Sequence, residues 1–125
     1  MVKYKIVERG NPAKPEEPKK FYPSIKSSGR VSTRELVETA SEMCSLTASD
    51  LMGAIEIILS IIPKELAKGN IVELGDFGSF WLRVNTEGVE TPDDVSPEQI
   101  NNVLPRFMPG TQFKWLLERV RFSKN

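Results

Sequence analysis

The longest apolar stretch of the chain does not alternate. Leu51, Ala54, Ile55, Ile58, Leu59, Ile62 and Leu66 recur at spacings of three and four, which predicts one face of a helix. Ile57 and Ile61 lie off that stripe, and a helix apolar on more than one side must be covered on nearly all of them. Thr47 with Asp50 marks its start and Gly69 stands at its C′ position. Pro63 should kink it or end it early, because proline has no N–H for the helical ladder. Upstream, Ser32 with Glu35 is a capping-box signal. Leu36, Val37, Ala40, Met43 and Cys44 follow at the same helical spacing, which places Cys44 on an apolar stripe. Two helices joined by a short turn make an αα-hairpin.

Past Gly69 the period shortens. "IVEL" reads as a short strand, "GDFG" as a turn, and "SFWLRV" as a strand with Phe80, Leu82 and Val84 on one face. "NVLPRF" is a third strand, broken by "MPG". Phe113, Leu116, Leu117 and Val120 predict a last helix over residues 111–121. At the other end, Lys3 and Lys5 alternate with Tyr4 and Ile6, a half-buried strand pattern. "RGNPAKPEEPKK" reads as a solvated turn and linker. "FYPSIKSS" reads as an edge strand, since Pro23 cannot donate to a ladder. Residues 1–30 are therefore an appended arm or hairpin without its own core, ahead of a unit at 31–125. The fold class is α+β, and its apolar surplus predicts a two-fold dimer.

Charge changes this picture more than composition does. The 125 residues hold 17 bases and 17 acids, a net charge of zero, but the two signs are segregated. Residues 1–30 carry eight bases and three acids, and 105–125 carry five and one. Between them, "NTEGVETPDDVSPEQINN" (85–102) holds five carboxylates and no base. Local basic patches can bind polyanions although the whole chain is neutral. There is no histidine and one cysteine, which excludes a disulfide framework and removes the usual general base and metal ligands. No nucleophile–base constellation can be assembled, so neither catalysis nor a cofactor is expected. Residues 51–63 are too short and too polar to cross a membrane. The N-terminal residues lack the apolar run of a signal peptide, so a cytoplasmic protein is expected.

"AKGNIVELGDFGSFWLRV" and "RFMPGTQFKWLLERV" resemble the bacterial HU/IHF histone-like DNA-binding proteins. The likeness covers about Val31 to Arg121. It rests on the glycine helix end at Lys68-Gly69, the turn residues Gly75, Phe77, Gly78 and Phe80, Arg83 at the arm base, and Phe107, Pro109 and Gly110. The N-terminal extension points to a divergent HU-like branch. The resemblance implies a helix–helix–strand–strand–arm–strand–helix order in an intertwined dimer: an αα-hairpin, a three-stranded antiparallel sheet with a long arm, and a C-terminal helix. It also implies nucleoid association and double-stranded DNA as partner, bent or bridged with little sequence preference. Phosphate contacts are expected from Arg83, Arg106, Lys114, Arg119 and Arg121. Lys3, Lys5, Arg9, Lys19 and Lys20 are auxiliary candidates. Ile55, Ile58, Leu59, Ile62, Phe77 and Phe80 are expected in the dimer core.

The sequence also departs from that pattern. Residues 85–102 occupy the place of the family's cationic, proline-tipped DNA arm, yet carry Glu87, Glu90, Asp93, Asp94 and Glu98. A carboxylate near a phosphate is repulsive, and no base is present to release a counterion. Met108 and Thr111 stand where the family usually places lysines. Two readings stay open: DNA binding by the saddle without the arm, or a dimer of this fold that has left DNA.

Overall fold

The computed structural model describes all 125 residues. Two strands, β1 (Val2–Arg9) and β2 (Lys20–Lys26), precede two helices, α1 (Thr33–Glu42) and α2 (Ala48–Ala67). Strands β3 (Val72–Glu73), β4 (Gly78–Thr86) and β5 (Ile100–Pro109) follow, then α3 (Lys114–Arg119) and β6 (Phe122–Lys124). Local sequence sets the helix ends. Ser32 Oγ accepts from Glu35 N and Thr47 Oγ1 from Asp50 N, each satisfying a donor the first turn leaves free. At the far end of α2, Asn70 N donates to Glu65 O and Gly69 N to Leu66 O, with Gly69 at φ 86°. That is the paired closure for which a left-handed glycine is best suited.

Three expectations about these helices are corrected. Of the kink or early end expected at Pro63, the early end does not occur: Pro63 lies inside α2 and the helix runs on to Ala67. Helix α1 stops at Glu42 with Met43 as its C-cap, so Cys44 leaves the apolar stripe and is exposed. The predicted last helix over 111–121 is a 3-10 turn (Thr111–Phe113) and a short α3, and the chain is extended again from Phe122. Val120 follows the helical period, but at φ −63° and ψ 136° it has already left the helix.

The strands form two separate three-stranded sheets, in the orders β2-β1-β6 and β3-β4-β5. The first is built from both chain ends: β1 pairs antiparallel with β2 and parallel with β6. Pro23 sits on the outer strand β2 opposite Ile6, where a missing N–H is tolerated. The second sheet is antiparallel, with β4 and β5 in register from Gly78↔Pro109 to Asn85↔Asn102. The register then slips, and Thr86 pairs with Ile100. A bulge of this kind bends the ladder where it leaves the sheet.

The isolated chain has almost no interior. Only Val37, Leu66 and Gly78 are buried. A compact folded chain of 14.1 kDa exposes roughly 6,700 Å², whereas this one exposes 10787 Å². Much of the excess is apolar. Ile57, Ile58, Leu59 and Ile61 of α2 are all exposed, as are Leu36 of α1 and Phe21, Ile25 and Phe122 of the β2-β1-β6 sheet.

Candidate nucleic-acid interface

Register divides the β4–β5 ribbon into two faces, because residues opposite one another project to the same side. One face carries Phe80 with Phe107, Leu82 with Pro105 and Val84 with Val103. The other carries Ser79 with Met108, Trp81 with Arg106, Arg83 with Leu104 and Asn85 with Asn102. Arg83 and Arg106, predicted from different strands, therefore share a face as diagonal neighbours. Both are exposed and neither is in a salt bridge. Trp81 is half-buried between them. The period of two along "SFWLRV", with Phe80, Leu82 and Val84 on one side, already puts Trp81 on the face of Arg83.

The ribbon is held by aromatic rings on its other side. Phe77 lies 5.5 Å from Phe107 and 5.2 Å from Phe113 between ring centroids, and Phe80 lies 4.8 Å from Phe107. Tilted and edge-to-face rings at such distances are favourable. Two glycines let the backbones approach. Gly110 N donates to Phe77 O at 2.9 Å, and a Cβ on Gly110 would collide with the Asp76 carbonyl. A Cβ on Gly78 would meet the Met108 carbonyl oxygen and the Phe107 ring. These contacts give the physical reason for glycine at both positions of the motif.

The remaining predicted cations are placed less uniformly. Lys114 opens α3 and Arg119 closes it, about 500° apart around a helix of 3.6 residues per turn, so they do not share a face. Arg121 lies beyond the helix and its guanidinium donates to Glu118 O and Val120 O at 3.2 and 3.1 Å. It therefore caps the carbonyls of α3. With six residues, α3 is also too short to offer phosphate an aligned helix N-terminus.

The acidic segment is ordered locally. Pro92 and Pro97 each open a 3-10 turn, where a fixed φ helps and no N–H is needed. Ser96 and Gln99 form a reciprocal capping box, Thr91 Oγ1 donates to Asp94 Oδ2 at 2.7 Å, and Gln99 Nε2 donates to Glu87 O. No carboxylate of this segment is in a salt bridge.

Of the auxiliary candidates, Lys3, Lys5 and Arg9 lie on β1, Lys20 opens β2, and Lys19 precedes it. Of the predicted dimer-core residues, Ile55, Ile62 and Phe80 are half-buried, while Ile58, Leu59 and Phe77 are exposed. Hydrogen bonds from Lys68 and Asn70 to the Glu65 carboxylate, with the Lys68 charge, hold that group below its usual value. No group of three or more metal-capable side chains is present, and no helix is long and apolar enough to cross a membrane.

Comparisons with known proteins agree with this geometry. The family described as an HU domain fused to a wHTH, Ig or glycine-rich motif matches residues 1–124. The chain is 35% identical over 92 residues to integration host factor subunit beta of Colwellia psychrerythraea, covering 71% of this chain and 94% of the relative. Against subunit alpha of Vibrio cholerae it is 30% identical over 94 residues, covering 72% and 94%. A Bacteroides vulgatus protein named as a candidate bacterial DNA-binding protein shares the fold, with TM-score 0.63 at 11% identity. That likeness covers 98% of this chain but 47% of the other, so this chain spans about half of that protein.

Proposed function

The chain belongs to the HU/IHF family of bacterial DNA-binding proteins, and we propose that it works as a homodimer that binds double-stranded DNA and bends or bridges it. Contact is to phosphates, with little sequence preference, and places the protein at the nucleoid. The observation that carries this reading is the β4–β5 ribbon, with Arg83 and Arg106 free on one face and an aromatic-apolar surface on the other. The apolar side belongs to the exposed apolar surface that a second copy would cover, which leaves the arginine side to meet a ligand. Lys114 and Arg119 add charge beyond the end of β5, while Arg121 contributes less because its guanidinium also serves helix carbonyls. Catalysis and cofactors have no part in it.

Homodimerisation is supported by area. The surface beyond that of a compact chain is about 4,000 Å² per copy, or about 8,000 Å² for two, which is more than the roughly 2,000–5,000 Å² that obligate subunit interfaces bury in total. The apolar rows of α2 are the surface to cover, with Ile55, Ile58, Leu59, Ile62, Phe77 and Phe80 as its centre.

The acidic segment supports a second reading, a dimer of this fold without DNA affinity. Its five carboxylates equal in number the five candidate saddle cations, and none is neutralised within the chain. Fluorescence anisotropy on a random duplex across a salt series separates the two. Each phosphate contact adds about 0.9 to the slope of log affinity against log salt. DNA binding predicts a steep slope that falls by about 1.8 per copy in Arg83→Gln/Arg106→Gln. No binding at low salt would establish the second reading.

A further inference from the structure

The sheet made from the two chain ends has chemically opposite faces. On one lie Tyr4, Ile6, Phe21, Pro23, Ile25 and Phe122, with Glu8 and Lys124 at the margins. On the other, register sets Lys3 opposite Lys26, Lys5 opposite Ser24, Val7 opposite Tyr22 and Arg9 opposite Lys20. Five cations thus share a face with no carboxylate. All five are exposed and none is in a salt bridge; the chain's ion pairs are Lys14–Glu17 and Lys68–Glu65.

An ordinary solvated sheet face does not account for this. A chain with equal numbers of acids and bases would mix signs there. Lysines do protect exposed sheet edges, but Lys3 lies where β1 is flanked by β2 on one side and β6 on the other. The decisive feature is pairing. Lys3 directly faces Lys26 and Arg9 directly faces Lys20, and like charges directly opposite destabilise a sheet. No salt bridge within the chain offsets the repulsion, so an anion from outside would relieve it.

The spacing selects the kind of anion. Along a strand, Lys3 to Lys5 is roughly 6.6 Å and Lys3 to Arg9 roughly 20 Å. A single small anion cannot serve cations that far apart. A duplex presents one charge per roughly 1.7 Å of its axis and so meets the whole row. The reverse face is apolar and is itself exposed in the single chain, so the cations hold the polar side of the sheet to themselves.

We propose that Lys3, Lys5, Arg9, Lys20 and Lys26 form a second phosphate-contact surface for double-stranded DNA, separate from the arginine face of β4–β5. It rests on the DNA-binding function proposed above and adds a surface to it. Lys26 was not among the candidates from sequence, and Lys19 lies outside the face.

The test is the anisotropy salt series on the full chain carrying Lys3→Gln, Lys5→Gln and Lys26→Gln. Loss of three contacts lowers the slope by about 2.7 per copy. Lys3→Arg with Lys5→Arg and Lys26→Arg keeps it, which separates charge from folding. The glutamine variant should also melt at or above the parent temperature without DNA, since it relieves a like-charge pair. If it keeps the full slope while Arg83→Gln/Arg106→Gln loses its share, the second surface is overturned and the first function stands. If it instead changes the sedimentation coefficient without DNA and leaves the slope alone, the face meets the acidic segment of another copy, and the proposal is again overturned. Failure of the unmodified chain to bind any duplex removes both.

Discussion

Leu59→Ala tests whether α2 is covered by a second copy. In the isolated chain Leu59 is 51% exposed. Burying a leucine fully is worth about 1.5–3 kcal/mol, so truncating one already half in water costs a lone chain only about 1 kcal/mol. If a partner covers the residue, truncation costs the 2–5 kcal/mol typical of buried leucines. The part that belongs to association is then about 2 kcal/mol per copy, and a two-fold interface loses it twice. A loss of about 4 kcal/mol corresponds to roughly a 700-fold rise in the dimer dissociation constant. Sedimentation velocity over a dilution series measures this directly. The parent should sediment near twice the 14.1 kDa chain mass at micromolar concentration, and its melting temperature should rise with concentration. The variant should dissociate within the accessible range. An unchanged dissociation constant, or a parent that is monomeric, would refute the burial reasoning.

Two further outcomes follow from local geometry. Gly110→Ala drives a Cβ into the Asp76 carbonyl, backbone that cannot swing aside; it should lower stability by about 1–3 kcal/mol, and an unchanged urea midpoint would contradict the close approach. Glu65 has a carboxyl held below its usual value, so its stabilising share is present above the ordinary carboxylate range and lost as pH falls through the folded value, below 4.5. The difference in urea midpoint between the parent and Glu65→Gln should therefore exist at neutral pH and close in acid; a gap that persists unchanged would rule out the Lys68–Asn70 clasp.

Much of the local structure was legible because its causes are local. Ser32, Thr47 and Gly69 each act within a few residues, and each caps as the sequence suggested. Periodicity failed where a competing force acted at the end of an element. Val120 continues a helical spacing, yet the following residues pair with β1, and that long-range pairing decides their conformation. Of the two outcomes expected at Pro63, a kink or an early end, the early end did not occur, because removal of one ladder bond did not end a long, strongly apolar helix.

The sequence by itself determined the α+β class, the two capped helices, the strands other than β6 and the segregation of charge, because periodicity, capping and composition are properties of neighbouring residues. It also carried the glycine and phenylalanine motifs through which the family was recognised. Tertiary structure decided which cations stand together. Arg83 and Arg106 come from strands joined by the acidic segment, and Lys3 and Lys26 from strands joined by a proline-rich turn. Their shared faces depend on register, and a slip of one residue would send every side chain of a strand to the opposite side. No local pattern fixes that choice; it follows from the pairing of whole strands.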